Sequence, residues 1–184
     1  MKDHLEAVVH IPKIIQPDFL KRIIPFIESK ARIKLKVGEQ HLLSEDVRKV
    51  DGYQLNDSTP SNFFYFNFIK NEIQRLLLHY KSKFPLLINK KIDQIDLLKY
   101  RPGGKYDVHL DDATDSPRSL SVIMNLNDNY EGGDLIFTDQ KYNEIKCFKL
   151  TKGSIVFFPS NFMYPHSIQP ITKGIRYSIV AWLQ

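Results

Sequence analysis

Residues 100–111 read "YRPGGKYDVHLD", with an imidazole, His109, two positions before a carboxylate, Asp111. On a β-strand alternate side chains face the same way, so both groups would enter one pocket, with Val108 and Leu110 turned away. Taken alone, a His-x-Asp pair is more often a polar strand edge than a metal site. A metal site needs a third donor, and the candidate is His166 in "FPSNFMYPHSIQP". Two imidazoles and one carboxylate on one face of an octahedral ion leave three positions open, an arrangement suited to non-haem Fe(II) that must admit a co-substrate and O₂. Ten residues beyond His166 stands Arg176, at the start of the apolar run "RYSIVAWL". A charge facing the interior there needs a partner. An anionic ligand would supply one, because the guanidinium fork grips a carboxylate at two points. The competing reading is a strand-end arginine directed at solvent.

These residues need a frame, and the periodicity of the chain describes one. With 184 residues, 42% of them hydrophobic, the chain can bury a core as one domain without disulfides. Its single cysteine, Cys147, excludes an intrachain disulfide and fits a reducing, cytoplasmic address. No apolar run approaches the roughly 20 residues of a membrane-spanning helix, and "MKDHLEAVVHIPKIIQPDF" has no leader-like apolar stretch. A net charge of +5 reads as a solvated surface, with no arginine-rich tract to suggest nucleic acid. After an extended entry at 6–15, "PDFLKRIIPFIESK" has Phe19, Ile23, Phe26 and Ile27 at helical spacing, with Asp18 as its cap and Pro25 as a kink. Residues 32–60 read as irregular. A second helix over 67–84 puts Ile69, Ile73, Leu76, Leu77 and Tyr80 on one face. From about residue 92 the period changes to two, and at least seven short runs separated by Gly, Pro, Asn and Asp predict a sandwich or barrel. The expected plan is helical and loop support over about 1–91, then a β-core over about 92–184.

The second half also resembles the Fe(II)- and 2-oxoglutarate-dependent dioxygenases, within them the prolyl 4-hydroxylase branch, and especially the hypoxia-sensing prolyl hydroxylases and their bacterial and viral relatives. The match lies in five ordered segments: the Tyr100–Asp111 motif, "EGGDLIF", "KGSIVFFPS", "PHSIQP" and "GIRYSIVAW". The resemblance implies a double-stranded β-helix (jelly-roll, cupin-like) core. It implies that His109, Asp111 and His166 ligate Fe(II) and that Arg176 pairs with the distal carboxylate of 2-oxoglutarate. Tyr100 would support that co-substrate, while Tyr106 and Trp182 would line the pocket near the target residue. It further implies O₂ as co-substrate, ascorbate as accessory reductant, and a protein or peptide substrate with a flexible proline-containing segment. Residues 45–60 fall where the family carries a loop over the substrate, making Arg48 and Lys49 candidates for peptide contact.

The chain departs from the pattern in three places. Tyr100 to His109 is one residue shorter than in the hypoxia-sensing enzymes, and His166 to Arg176 one longer. Asn125 stands where those enzymes carry a tyrosine that touches the co-substrate; its amide is the expected replacement donor. Gly103 and Gly104 are expected to make the tight turn that brings Tyr100 and Tyr106 together. Other targets stay open: another amino-acid side chain, a free amino acid, a small molecule, or a non-catalytic β-barrel that merely binds. Nucleic-acid demethylation is disfavoured, because "RYSIVAWLQ" has no second arginine after Arg176.

Overall fold

From Ile92 onward the chain crosses back and forth between two sheets, and the site lies between them. The computed structural model describes residues 4–31, 33–34, 47–88, 91–112 and 117–184. A 3₁₀ turn at His4–Ala7 leads into β1 (Val9–Ile11) and α1 (Pro17–Lys30). Three short strands, β2 (Ile33–Lys34), β3 (Arg48–Lys49) and β4 (Asp51–Gln54), precede α2 (Pro60–Lys83). There follow β5 (Ile92–Tyr100), β6 (Lys105–His109), β7 (Leu120–Asn125), β8 (Tyr130–Gly132), β9 (Leu135–Thr138) and β10 (Glu144–Phe148). The last are β11 (Ser154–Pro159), β12 (His166–Ile168), β13 (Ile171–Gly174) and β14 (Arg176–Leu183).

Among the described residues, the larger sheet has the order β1-β11-β7-β14-β5-β4-β2 and the smaller β10-β9-β12-β6-β3, with β13 paired to β8. All these pairings are antiparallel. Strands β5, β7, β11 and β14 belong to the larger sheet, whereas β6, β9 and β12 belong to the smaller. This alternation is the jelly roll expected from the sequence.

The larger sheet is buried on both faces, which is why β7 reads as unbroken "LSVIMN". On β14, Ile179, Ala181 and Leu183 face the helices. With Leu97, Val122, Met124, Ile155 and Phe157 they pack against Ile23, Ile27, Ile69, Ile73 and Leu76. The alternate residues of the same strands face the second sheet, where Leu98, Tyr100, Ile123, Val156 and Phe158 meet Leu135, Phe137 and Ile168. One strand thus serves two cores by its period of two.

Several expectations need correction. Residues 48–54 are not irregular: β3 pairs with β6 and β4 with β5. The N-terminal half therefore adds strands to both sheets, beyond helical and loop support. "VRKVDGYQ" has almost no strand signal of its own, and its extended conformation is imposed by the longer strands it joins. Of the expected substrate loop, residues 45 and 46 lie outside the described residues. Helix α1 runs unbroken through Pro25, and its cap is Gln16, followed by Pro17, with Asp18 in the first turn. Helix α2 starts earlier than its apolar periodicity indicates, because Thr59 caps it by accepting the Asn62 amide at 3.2 Å.

Candidate active site

Strand pairing brings the separated motifs together. β6 ends at His109 and β12 begins at His166, and the antiparallel register sets these two residues opposite each other. Asp111 follows two residues past His109, and the Asp112 amide donates to the Ser160 carbonyl at 3.1 Å, tying this turn to the end of β11. One donor atom from each of His109, Asp111 and His166 lies within 4.8 Å of the others. His109 Nε2 is 3.5 Å from Asp111 Oδ1, and His166 Nε2 is 3.6 Å from Oδ2.

The tautomers follow from the backbone. His109 Nδ1 lies 2.9 Å from the Asp107 carbonyl and His166 Nδ1 3.1 Å from the Tyr164 carbonyl. A carbonyl can only accept, so each Nδ1 carries the proton and each Nε2 turns a lone pair toward Asp111. Burial, reinforced by the neighbouring His109, pushes the His166 pKa down to about 4, which keeps the ring neutral. Burial opposes ionisation of Asp111, but the flanking His166 and His109 outweigh it and hold the carboxyl well below the usual carboxylate range. Among the described residues, buried Asp111 Oδ2 has no hydrogen-bond partner. Two neutral imidazole lone pairs and an under-satisfied carboxylate converge as an N,N,O donor set, which fits Fe(II).

Arg176 and Tyr100 form the other end of the cavity. They are register partners on β14 and β5, and the guanidinium lies 5.2 Å from the Tyr100 ring centre. Arg176 is almost fully buried at 1% exposure, yet its Nη2 has no hydrogen-bond partner among the described residues. An orphaned guanidinium nitrogen facing a cavity fits the carboxylate of an anionic co-substrate. Burial raises the Tyr100 pKa, so its hydroxyl remains a donor. Between Tyr100 and His109 the chain makes a tight turn at 101–104. Gly104 N–H donates to the Arg101 carbonyl at 2.7 Å with Pro102 second and Gly103 third at φ +78°, which is type II geometry. That turn carries the chain from one sheet to the other and sets Tyr100 and Tyr106 on facing walls.

The remaining candidates divide. Tyr106 lines the cavity and stacks on the His109 ring at 3.5 Å. Trp182 also lines it, buried, with its indole N–H unpartnered among the described residues. Arg48 is not on an exposed loop: it lines the cavity with its guanidinium 4.7 Å above Tyr106 and 3.8 Å from Asp96. Lys49 is exposed. The expectation for Asn125 is corrected. Its Nδ2 donates to the Asn127 carbonyl at 2.7 Å, its Oδ1 accepts from Arg176 Nε at 3.0 Å, and it is not among the cavity-lining residues. It touches Arg176 and does not line the cavity.

Two contributors went unread in the sequence. Ser178 projects a buried, unpartnered hydroxyl into the cavity two residues after Arg176, and the period-two rule applied to β14 would have found it. Arg118 lies 4.0 Å from the Trp182 ring centre and donates to the Asp111 carbonyl at 3.1 Å. Only the folded structure brings it there.

Residues 95–184 match the model of the 2OG-Fe(II) oxygenase superfamily. A PKHD-type hydroxylase of Pseudomonas putida (strain W619) is 27% identical over 202 residues, covering 96% of this chain and 78% of the relative. A PKHD-type hydroxylase of Gloeothece citriformis (strain PCC 7424) is 23% identical over 182 residues, covering 95% and 76%. Among solved structures, a Trichoplax adhaerens prolyl hydroxylase in complex with a hypoxia inducible factor oxygen degradation domain peptide fragment superposes with a TM-score of 0.77. The identity is 15%, with 98% of this chain and 85% of that one covered. A Pseudomonas putida prolyl-4-hydroxylase superposes with a TM-score of 0.74 at 19% identity, covering 99% and 96%. At these identities the superpositions establish a shared fold.

Proposed function

The chain belongs to the 2OG-Fe(II) oxygenase superfamily, and from that premise we propose that it hydroxylates a prolyl residue in a flexible protein or peptide segment. The observation that carries the reading is the opposition, across one cavity, of the His109, Asp111 and His166 donors and the Arg176 guanidinium, whose Nη2 has no partner among the described residues. The enzyme is a 2-oxoglutarate-dependent dioxygenase, and the bound metal supplies the coupling of 2-oxoglutarate decarboxylation to hydroxylation of an unactivated C–H bond.

The residues of the chain do the rest. His109, Asp111 and His166 would hold the metal through two Nε2 lone pairs and a carboxylate, each imidazole locked by its Nδ1–H on a backbone carbonyl. Arg176 would take the distal carboxylate of 2-oxoglutarate, with the Tyr100 hydroxyl as a second donor, so that orientation is set before reaction. Leu98, Ile123, Ile168 and Val180 give the cavity apolar walls that exclude water from the reacting centre. Tyr106 and Trp182, held by Arg48 and Arg118 respectively, would flank the target side chain. The prolyl hydroxylases that share the fold support the choice of substrate.

A free amino acid is the second reading, favoured by Arg48, a second guanidinium lining the cavity that would suit the carboxylate of such a ligand. The test is twofold. Anaerobic Fe(II) with 2-oxoglutarate should produce a weak visible charge-transfer band that His109→Ala abolishes. Succinate release should be stimulated by proline-containing peptides. No band in the wild type would end the oxygenase reading; stimulation by free amino acids alone would favour the second.

A further inference from the structure

β7 runs out into Asn125-Leu126-Asn127, and this segment grips Arg176 from several sides. The Leu126 amide donates to the Tyr177 carbonyl at 3.0 Å. Asn127 Oδ1 accepts the Tyr177 amide at 2.8 Å, and its Nδ2 donates to the Ile175 carbonyl at 2.7 Å. The backbone on both sides of Arg176 is thereby pinned. Asn125 takes the side chain. Its Oδ1 accepts from Arg176 Nε at 3.0 Å and from the Tyr130 hydroxyl at 3.1 Å. Its Nδ2 faces the carbonyls of Asn127, Leu150 and Thr151 at 2.7, 3.4 and 3.3 Å. Rotating the amide would set its NH₂ against the Arg176 donor and its oxygen against three acceptors, so the network fixes which end meets the arginine.

The acceptor so presented is neutral. Among the described residues no carboxylate lies in ion-pair range of Arg176, so its charge is uncompensated. Nε is satisfied, Nη2 is not, and the unsatisfied atom belongs to a cavity-lining residue. Gly133 leaves room for this placement: a Cβ there would sit 3.2 Å from Arg176 Cδ and 3.3 Å from Tyr130 Cε2.

We propose that Asn125 is a positioning residue that holds the Arg176 guanidinium by Nε with an uncharged acceptor, leaving its full charge for the distal carboxylate of 2-oxoglutarate and so setting the affinity for that co-substrate. The proposal rests on the co-substrate reading of the Arg176 end of the cavity. Asn125→Ala removes the acceptor, and Asn125→Asp keeps an acceptor but neutralises the arginine. Both should bind 2-oxoglutarate roughly 10- to 100-fold more weakly, the range for a hydrogen bond to a charged group.

The experiment is calorimetry of 2-oxoglutarate on Mn(II)-loaded protein, with Mn(II) affinity measured beside it, followed by steady-state kinetics with Fe(II). Expected are a weakened 2-oxoglutarate affinity, unchanged Mn(II) affinity, and a raised KM for 2-oxoglutarate with kcat at saturation within about twofold. Unchanged 2-oxoglutarate affinity overturns the proposal. So does a parallel loss of Mn(II) binding, which would make Asn125 a general structural support. If neither variant folds, Tyr130→Phe, which strips the second donor from Asn125 Oδ1, must shift 2-oxoglutarate affinity without shifting Mn(II) affinity, and no shift overturns it. A wild type that binds Mn(II) but not 2-oxoglutarate refutes the underlying reading instead.

Discussion

Acidification should destabilise the metal-free protein through His166 well before Asp111 is protonated. The imidazole is 3% exposed, packed beside Phe158 with ring centres 4.7 Å apart, and 4.3 Å from the His109 ring. These surroundings push its pKa down to about 4, against about 6.5 in an unfolded chain. As pH falls below about 6.5 the unfolded state takes up a proton that the folded state refuses, so the unfolded state binds more protons and stability drops. The loss begins near pH 6.5 and is complete once pH passes below about 4. The gap of about 2.5 pH units corresponds to about 3 kcal/mol in full, and to about 2 kcal/mol by pH 5. Asp111 works in the same direction but at lower pH. Its depressed folded pKa contributes stability that is lost only as pH falls below the ordinary carboxylate value, outside this window. The assay is urea unfolding of chelator-treated protein at pH 7.5, 6 and 5, in the wild type and in His166→Asn. The wild type should lose about 2 kcal/mol across the range. The variant should lose less, its remaining dependence coming from His10, whose pKa burial also lowers, and with opposite sign from Asp96, whose carboxyl burial pushes up. Identical slopes in both proteins, or stability rising as pH falls, would refute the reasoning.

Other perturbations separate the site from its frame. Arg176→Lys keeps the charge but loses the fork and the Nε bond to Asn125. It should raise the KM for 2-oxoglutarate roughly 10- to 100-fold while leaving the KM for peptide unchanged, measured by succinate release. Gly133→Ala would force a Cβ to 2.4 Å from Ile171 Cδ1 at φ +71°. Stability should fall by about 1–3 kcal/mol in thermal melts, and 2-oxoglutarate binding should weaken with it. Phe157→Ala opens a cavity in the helix-facing core on the far side of the larger sheet. It should cost about 3–5 kcal/mol by denaturant titration and leave the Mn(II) affinity of the folded protein unchanged.

What was legible in the sequence was what periodicity and chemistry both mark. His109 and Asp111 share a strand face, and Arg176 opens a strand too apolar to hide a charge. Short-range propensity could not reveal β3 and β4, because their conformation is supplied by β6 and β5. Nor could it assign the Asn125 amide, whose partners lie in β8, in β14 and in the turn before β11. Arg118 was invisible for the same reason: its contacts to Trp182 and Gln94 join strands distant in the chain. Tyr100 shows the opposite case, since it was read from the sequence and strand pairing sets it against Arg176.

The account stands or falls on the fate of oxygen. The protein, supplied with Fe(II), 2-oxoglutarate and isotope-labelled O₂, should add one labelled oxygen atom to a prolyl residue of a proline-containing peptide. Mass spectrometry should localise the label to proline, succinate should form in equal amount, and His109→Ala should yield neither. Succinate without label on any peptide, or label on a residue other than proline, would contradict the prolyl assignment. Neither product in the fully supplied wild type would contradict the oxygenase itself.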